Sequence, residues 1–118
     1  MIKKHRILVC GGRDFSDMRF MERAMDALVP YFNPRFCLIH GGCSGADTYA
    51  GSWAQSKGTP VIVMDANWDF YKGSAGPIRN EWMIKYCWPD LVIAFPGGNG
   101  TANMVKLAKR EKIDVYEI

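Results

Sequence analysis

Apolar and polar positions along the chain alternate between two periods. Short strand-like segments stand at 6–10 (RILVC), 36–39, 61–64, 91–95 and 113–118, with an unbroken apolar run at 91–95. Runs of this kind are expected of parallel strands covered on both faces. Between them the apolar residues recur at helical spacing. Met18, Met21, Met25 and Leu28 form one such face, with Ser16 as the expected N-cap and Pro30 beyond its end. Ala46, Ala50, Trp53 and Ala54 form a second, closing at Gly58. Ile78, Trp82 and Tyr86 form a third, in a helix opened by Pro77 at its first position. Met104, Val105 and Ala108 line the last. Asn33-Pro34 predicts a turn before the second strand, and residues 65–75 (DANWDFYKGSA) predict a long loop without periodicity. Strands alternating with helices predict an α/β fold: one Rossmann-like domain over residues 1–118, with a parallel five-stranded sheet and helices on both faces.

The stretch 90–101 (DLVIAFPGGNGT) concentrates the chemistry. A buried strand ends at Pro96, which cannot donate to a sheet ladder, and Gly97, Gly98 and Gly100 then turn the chain into a helix. Thr101 is the expected cap of that helix. The first free N–H groups and positive dipole end of such a helix make an anion cradle, and phosphate suits it. Two further strands end in similar loops, Gly11-Gly12 and Gly41-Gly42-x-x-Gly45. All three lie at the carboxyl ends of their strands, hence on one rim of the sheet, where open α/β sheets bind ligands.

Polar residues beside these loops supply candidate contacts. Arg13 can meet a phosphate bidentately, or pair with Asp14. Ser44 and Asp47 open the second helix, where Asp47 can accept from ribose hydroxyls or answer the helix N-terminus. Arg79 falls in the first turn after Pro77, a place where a cation opposes the helix dipole unless an anion compensates it. Asn80 both donates and accepts, which suits a base or ribose. Trp68, Phe70 and Tyr71 in the long loop are stacking candidates or a satellite cluster.

Composition narrows the classes. The 118 residues are 48% hydrophobic and 23% charged, ordinary for a globular domain, and large enough for a core without staples. The net charge of +3 is far from the basic stripe of a dedicated nucleic-acid binder, so nucleic acid is disfavoured as a partner. The apolar run within residues 1–10 is too short for a signal-peptide core or a membrane span, which predicts a cytoplasmic protein. Cys10, Cys37, Cys43 and Cys87 form no C-x-x-C pair, and His5 and His40 lack zinc-finger spacing from them, so no metal and no cofactor is assigned. Neither G-x-x-x-x-G-K-[ST] nor a complete dinucleotide fingerprint is present, which disfavours a P-loop NTPase and a dehydrogenase.

Four segments together carry a resemblance. They are Gly11-Gly12-Arg13-Asp14-Phe15, His40-Gly41-Gly42-x-x-Gly45-Ala46-Asp47, Ala75-Gly76-Pro77-x-Arg79-Asn80-x-x-Met83 and Pro96-Gly97-Gly98-x-Gly100-Thr101. In this combination the chain resembles the YspA-type, cpYpsA-related branch of the SLOG superfamily, named for the Smf/DprA and Lonely-Guy proteins. The resemblance implies a Rossmann-like fold that binds nucleotides or nucleotide-derived ligands at the glycine-loop rim. The Lonely-Guy phosphoribohydrolases share an arginine, a basic residue and a methionine, then P-G-G-x-G-T-x-E-E. Arg79 and Met83 match, whereas Asn80 stands at the basic position and Asn103 and Met104 replace the two glutamates.

The first expectation is therefore a nucleotide-binding domain, a sensor without strong catalysis. Phosphate would lie on the loops 41–45 and 97–101, with Arg79 and Arg13 neutralising charge. The alternative is an N-glycosidic hydrolase of nucleoside monophosphates that uses Asp14 or Asp47 with Arg79 as catalytic residues. Single-stranded DNA binding, by analogy with DprA, ranks third. Relatives often pair subunits, and Trp53 or Trp88 are candidate exposed aromatics for a homodimer contact.

Overall fold

The computed structural model describes residues 3–118. Five strands, β1 (Lys4–Cys10), β2 (Phe32–His40), β3 (Val61–Val63), β4 (Leu91–Ala94) and β5 (Asp114–Glu117), form one sheet in the order β3-β2-β1-β4-β5. Every pairing is parallel. β1 is central: Ile7 pairs with Leu38 of β2 on one side and Leu91 of β4 on the other. The connecting helices are α1 (Met18–Leu28), α2 (Ala46–Ser56), a short α3 (Trp68–Tyr71), α4 (Ala75–Cys87) and α5 (Asn99–Arg110).

Alternating strand residues feed two cores. Ile7, Val9, Leu38, Ile93 and Phe95 pack with Met21 and Met25 of α1 and Ala50 and Trp53 of α2. Leu8, Cys10, Ile39, Val92 and Ala94 face the other way, onto Met83 and Ile84 of α4 and Met104 and Ala108 of α5. Helices therefore cover both faces, and strand order reverses between β1 and β4. That reversal opens a crevice above their carboxyl ends, the place where such sheets hold ligands. The α/β Rossmann-like architecture is the one the sequence predicts.

Local boundaries depart from expectation in ways that matter for the site. Asp17, not Ser16, caps α1, accepting from Phe20 N–H at 3.0 Å, because the helix starts at Met18. β2 begins at Phe32, so Asn33-Pro34 is an irregularity inside the strand rather than a turn ahead of it. There Asn33 Oδ1 accepts from Arg35 N–H at 2.9 Å and the register with β1 shifts. The loop at 65–75 contains α3, capped by Asn67, and a 3-10 turn at Lys72–Ser74. That turn runs straight into α4, which accordingly starts at Ala75, two residues before Pro77. Pro77 still sits in the first turn, where no N–H is required.

The expected apolar face of α4 is the outer one. Tyr86 is 65% exposed and Ile78 and Trp82 are half-buried, while Ala75, Arg79, Asn80, Met83 and Ile84 point inward. The helix turns two polar side chains toward the crevice in place of hydrophobic ones. Of the two tryptophans expected to be exposed, Trp88 is, and Trp53 is core, with its indole N–H donated to Asp26 Oδ1 at 2.9 Å. Among the described residues no helix is long and apolar enough to cross a membrane.

Candidate ligand site at the sheet crevice

A cleft of about 980 Å³ lies over the switch point between β1 and β4. Its walls come from the segments after β1, β2 and β4 and from α4. Among the residues expected to bind or react, Gly11, Gly12, Arg13, Asp14, Gly41, Asp47, Arg79, Asn80, Gly97, Gly98, Gly100 and Thr101 line it. Gly42, Ser44 and Gly45 do not line it.

Gly42 faces Asp65 instead, and Ser44 and Gly45 hold the first two loops together. Ser44 donates its hydroxyl to Arg13 O at 3.3 Å. Gly45 has φ +75°, and a Cβ there would stand 2.7 Å from the Arg13 carbonyl carbon, so the second loop packs against the first only with glycine at this position. Gly12 joins three segments: its N–H donates to Pro96 O at 2.8 Å and its carbonyl accepts from Ala46 N–H at 3.1 Å.

The loop after β2 uses its own N–H groups. Gly41 and Cys43 donate to Asp47 Oδ2 at 3.1 and 3.2 Å, and Gly42 donates to His40 Nδ1 at 2.9 Å. Asp47 is buried, and that burial pushes its carboxyl above the usual range, opposed by the Cys43 N–H bond, His40, Arg79 and the Gly41 N–H bond. Burial likewise holds the His40 imidazole below its ordinary value. The loop is thus closed around an internal carboxylate.

The turn after β4 is arranged differently. α5 begins at Asn99 with Gly98 as N-cap, no side chain caps it, and its first turn contains no acid. Thr101 is the third helical residue rather than the cap, because the helix starts two positions before it. The first helical bond is Ala102 N–H to Gly98 O at 3.0 Å. The N–H groups of Asn99, Gly100 and Thr101 find no acceptor among the described residues, and all three residues line the cleft. Cβ positions at Gly98 and Gly100 meet only open space.

Arg79 stands opposite, only 7% exposed. As the fifth residue of α4 it lies beyond the first turn, so the helix-dipole argument from the sequence does not apply; it reaches toward β2 instead. Nε donates to Asn80 Oδ1 at 3.0 Å, Nη1 donates to Gly41 O, and both terminal nitrogens lie 3.7 Å from Cys43 Sγ. A guanidinium has five N–H groups, which leaves one on Nη2 without an acceptor among the described residues. No carboxylate of the described residues is within ion-pair distance of it. A buried cation in that state is costly until an anion joins it.

Asn80 is committed to the scaffold. Its amide nitrogen donates to Gly100 O at 3.2 Å and Asn103 Oδ1 at 2.9 Å, while its oxygen accepts from Arg79. Asn80 and Asn103 therefore tie Arg79 to the N-terminal turn of α5. In the sequence Asn103 counts only as a departure from motifs, in the place of a glutamate and of the last small residue of the dinucleotide fingerprint. Its spacing of three from Gly100, which returns it to the side of the helix that faces the cleft, was the available signal.

At the outer rim, Arg13 is exposed and lies over the Trp68 ring, 5.0 Å from its centroid, rather than paired with Asp14. The Asp14 carboxylate is exposed on the cleft wall and makes no hydrogen bond to a described residue. Among the described residues no three His, Cys, Asp or Glu side chains gather as a metal site.

The Gene 61 protein of Mycobacterium phage D29 is 29% identical over 117 residues, 93% of each chain. The sequence model of the YspA, cpYpsA-related SLOG family matches residues 5–71, more than half of the chain and both glycine loops on the β1–β2 side of the cleft. The chain belongs to the YspA, cpYpsA-related SLOG family.

Proposed function

We propose that this protein binds a nucleotide or nucleotide-derived small molecule, with a phosphate seated on the N-terminus of α5 beside Arg79. The observation that carries the reading is one of convergence. Three unused helix N–H groups and a buried guanidinium without a carboxylate line the same cleft. Each favours an anion, and a tetrahedral phosphate accepts from several donors at once. Of the two loops expected to hold phosphate, 97–101 leads into free donors that line the cleft, whereas in 41–45 the N–H groups of Gly41, Gly42 and Cys43 are given to Asp47 and His40, Ser44 and Gly45 stand off the cleft wall, and the loop serves as the floor that positions Arg79. The cleft volume is at the upper end of the range for small-molecule sites. Membership of a SLOG family supports a nucleotide-related ligand.

A thermal-shift panel of nucleotides, cyclic nucleotides and ADP-ribose-type ligands tests this. A ligand at a hundredfold excess over its Kd raises the melting temperature by roughly 10 °C in a domain of this size. A panel that leaves the melting temperature unmoved contradicts the reading.

A second reading rests on Asp14, a carboxylate on the cleft wall with no partner among the described residues. With a nucleoside monophosphate bound, it is the candidate, ahead of the buried Asp47, to assist water at the anomeric carbon, as N-glycosidic hydrolysis requires. Chromatography of the incubated ligand separates the two readings. Intact nucleotide supports binding alone; free base released by the native protein and not by Asp14→Asn supports the hydrolase.

A further inference from the structure

The three aromatic residues around α3 have separate fates. Tyr71 is an anchor, with its ring centroid 4.8 Å from Phe70 and 5.8 Å from Trp82 of α4. Phe70 is 73% exposed and does not line the cleft. Trp68 lines it, 43% exposed. Two supports fix the indole there. Asn67 caps α3 by accepting from Phe70 N–H at 3.1 Å, which sets the backbone of Trp68. The far edge of the ring rests on Gly76 in the first turn of α4, where a Cβ would come 3.4 Å from Cη2.

One face of this ring is covered by the Arg13 guanidinium. Arg13 is itself exposed and without an ion-pair partner among the described residues. An exposed cation–π contact is weak, whereas a guanidinium meeting a phosphate gains two charge-assisted hydrogen bonds. Arg13 is well placed for that, since the preceding residue, Gly12, is bonded to Pro96 at the start of the turn that leads into α5.

We propose that Trp68 is the base platform of the cleft, and that a nucleotide exchanges its contacts: the base replaces the Arg13 guanidinium on the indole, and Arg13 moves to the phosphate. This rests on the phosphate reading above. It names the ligand class as one that joins an aromatic base to a phosphate, and it makes Trp68 the residue that distinguishes a nucleotide from a bare sugar phosphate. Stacking tolerates any base, because each has a π-face.

Calorimetric titration of adenosine 5′-monophosphate and of ribose 5-phosphate separates the two parts. The native protein is expected to prefer the nucleotide by about five- to 150-fold, the range for stacking one base on an aromatic side chain. Trp68→Ala brings that ratio close to one, Trp68→Phe keeps most of it, and Arg13→Ala weakens both ligands. Melting curves establish that each variant is folded. A preference that survives in Trp68→Ala overturns the platform, and so does a native protein that binds the two ligands equally; the phosphate reading stands in both cases. Arg13→Ala with native affinity for ribose 5-phosphate overturns the exchange. Absence of binding by either ligand overturns this proposal together with the reading beneath it.

Discussion

Asp47 and Arg79 hold the same residue from opposite ends. Asp47 Oδ2 accepts from the Gly41 N–H at 3.1 Å, and Arg79 Nη1 donates to the Gly41 carbonyl. The buried carboxylate and the buried cation thus share one backbone segment, without an ion pair between them. The guanidinium packs directly on the glycine: a Cβ on Gly41 would stand 2.7 Å from Arg79 Cζ. Gly41→Ala must push the guanidinium from its place. It is expected to cost about 1–3 kcal/mol by overpacking and to weaken nucleotide binding. Urea denaturation reads the first effect and calorimetry the second. Native stability in Gly41→Ala would show that Arg79 is free to move.

The N-terminus of α5 allows a substitution with opposite effects on stability and binding. Gly100 is exposed, helical and free of neighbours at its Cβ position. Gly100→Asp replaces a poor helix former and places a carboxylate in the first turn, a gain of about 0.5–1 kcal/mol. The same carboxylate competes with phosphate for the free N–H groups, and binding should fall by about tenfold or more. A variant that is more stable and binds nucleotide normally would place the phosphate elsewhere.

Acid should loosen the loop after β2. His40 Nδ1 accepts from Gly42 N–H at 2.9 Å, a bond that protonation of Nδ1 ends. Burial holds the imidazole below its ordinary 6.5, against the pull of Asp47 and Asp65 and with the help of Arg79. The folded state therefore binds fewer protons than the unfolded chain once pH falls past about 6.5. The stability from neutral His40 is complete above that pH and is lost as pH falls through the lowered folded value. Asp47 has the opposite sign, since burial raises it from 3.8: its stabilising contribution is complete below that value and is lost as pH rises through the folded one. Urea denaturation between pH 7 and 5 should show the native protein losing up to about 1.4 kcal/mol per pH unit, and His40→Asn a flatter profile. Parallel profiles would remove His40 as the cause.

Thiol chemistry distinguishes two cysteines that both line the cleft, one buried in its floor and one half-buried in its wall. Cys10 is buried at the end of β1, and burial pushes its thiol up to about 12. Cys43 is half-buried, lines the cleft and touches the Arg79 guanidinium. Mass spectrometry after iodoacetamide treatment at pH 8 should find Cys10 unmodified in the folded protein. Cys43 should be modified, and protected by bound nucleotide. Modification of Cys10 at the rate of Cys43 would contradict the burial of β1.

The sheet was legible because both its faces are covered. Residues Ile7 to Cys10 and Leu91 to Ala94 must all be apolar, and such runs cannot be mistaken for amphipathic surface strands. The glycine loops were legible because backbone segments approach closely at Gly11, Gly12, Gly45 and Gly97, although Gly98 and Gly100 meet only open space. α4 misled for the complementary reason. Its inward face carries Arg79 and Asn80 to the cleft, so the apolar period traced by Ile78, Trp82 and Tyr86 follows the outer surface. Spacing along α5 places Asn103 on the cleft side, but its pairing with Asn80 depends on which helices are neighbours, a tertiary fact that spacing along one helix does not contain. Helix caps were displaced by one to three residues because Ser16 and Asp17, or Gly98 and Thr101, offer adjacent starting points that only the preceding turn decides between.

The central claim concerns three backbone N–H groups, and amide NMR observes them individually. Titration of adenosine 5′-monophosphate into the labelled protein should move the amide protons of Asn99, Gly100 and Thr101 downfield as each donates to the phosphate. The largest changes should cluster there and around Arg79. Saturable binding that leaves these three amides unmoved while shifting another part of the surface would contradict the account.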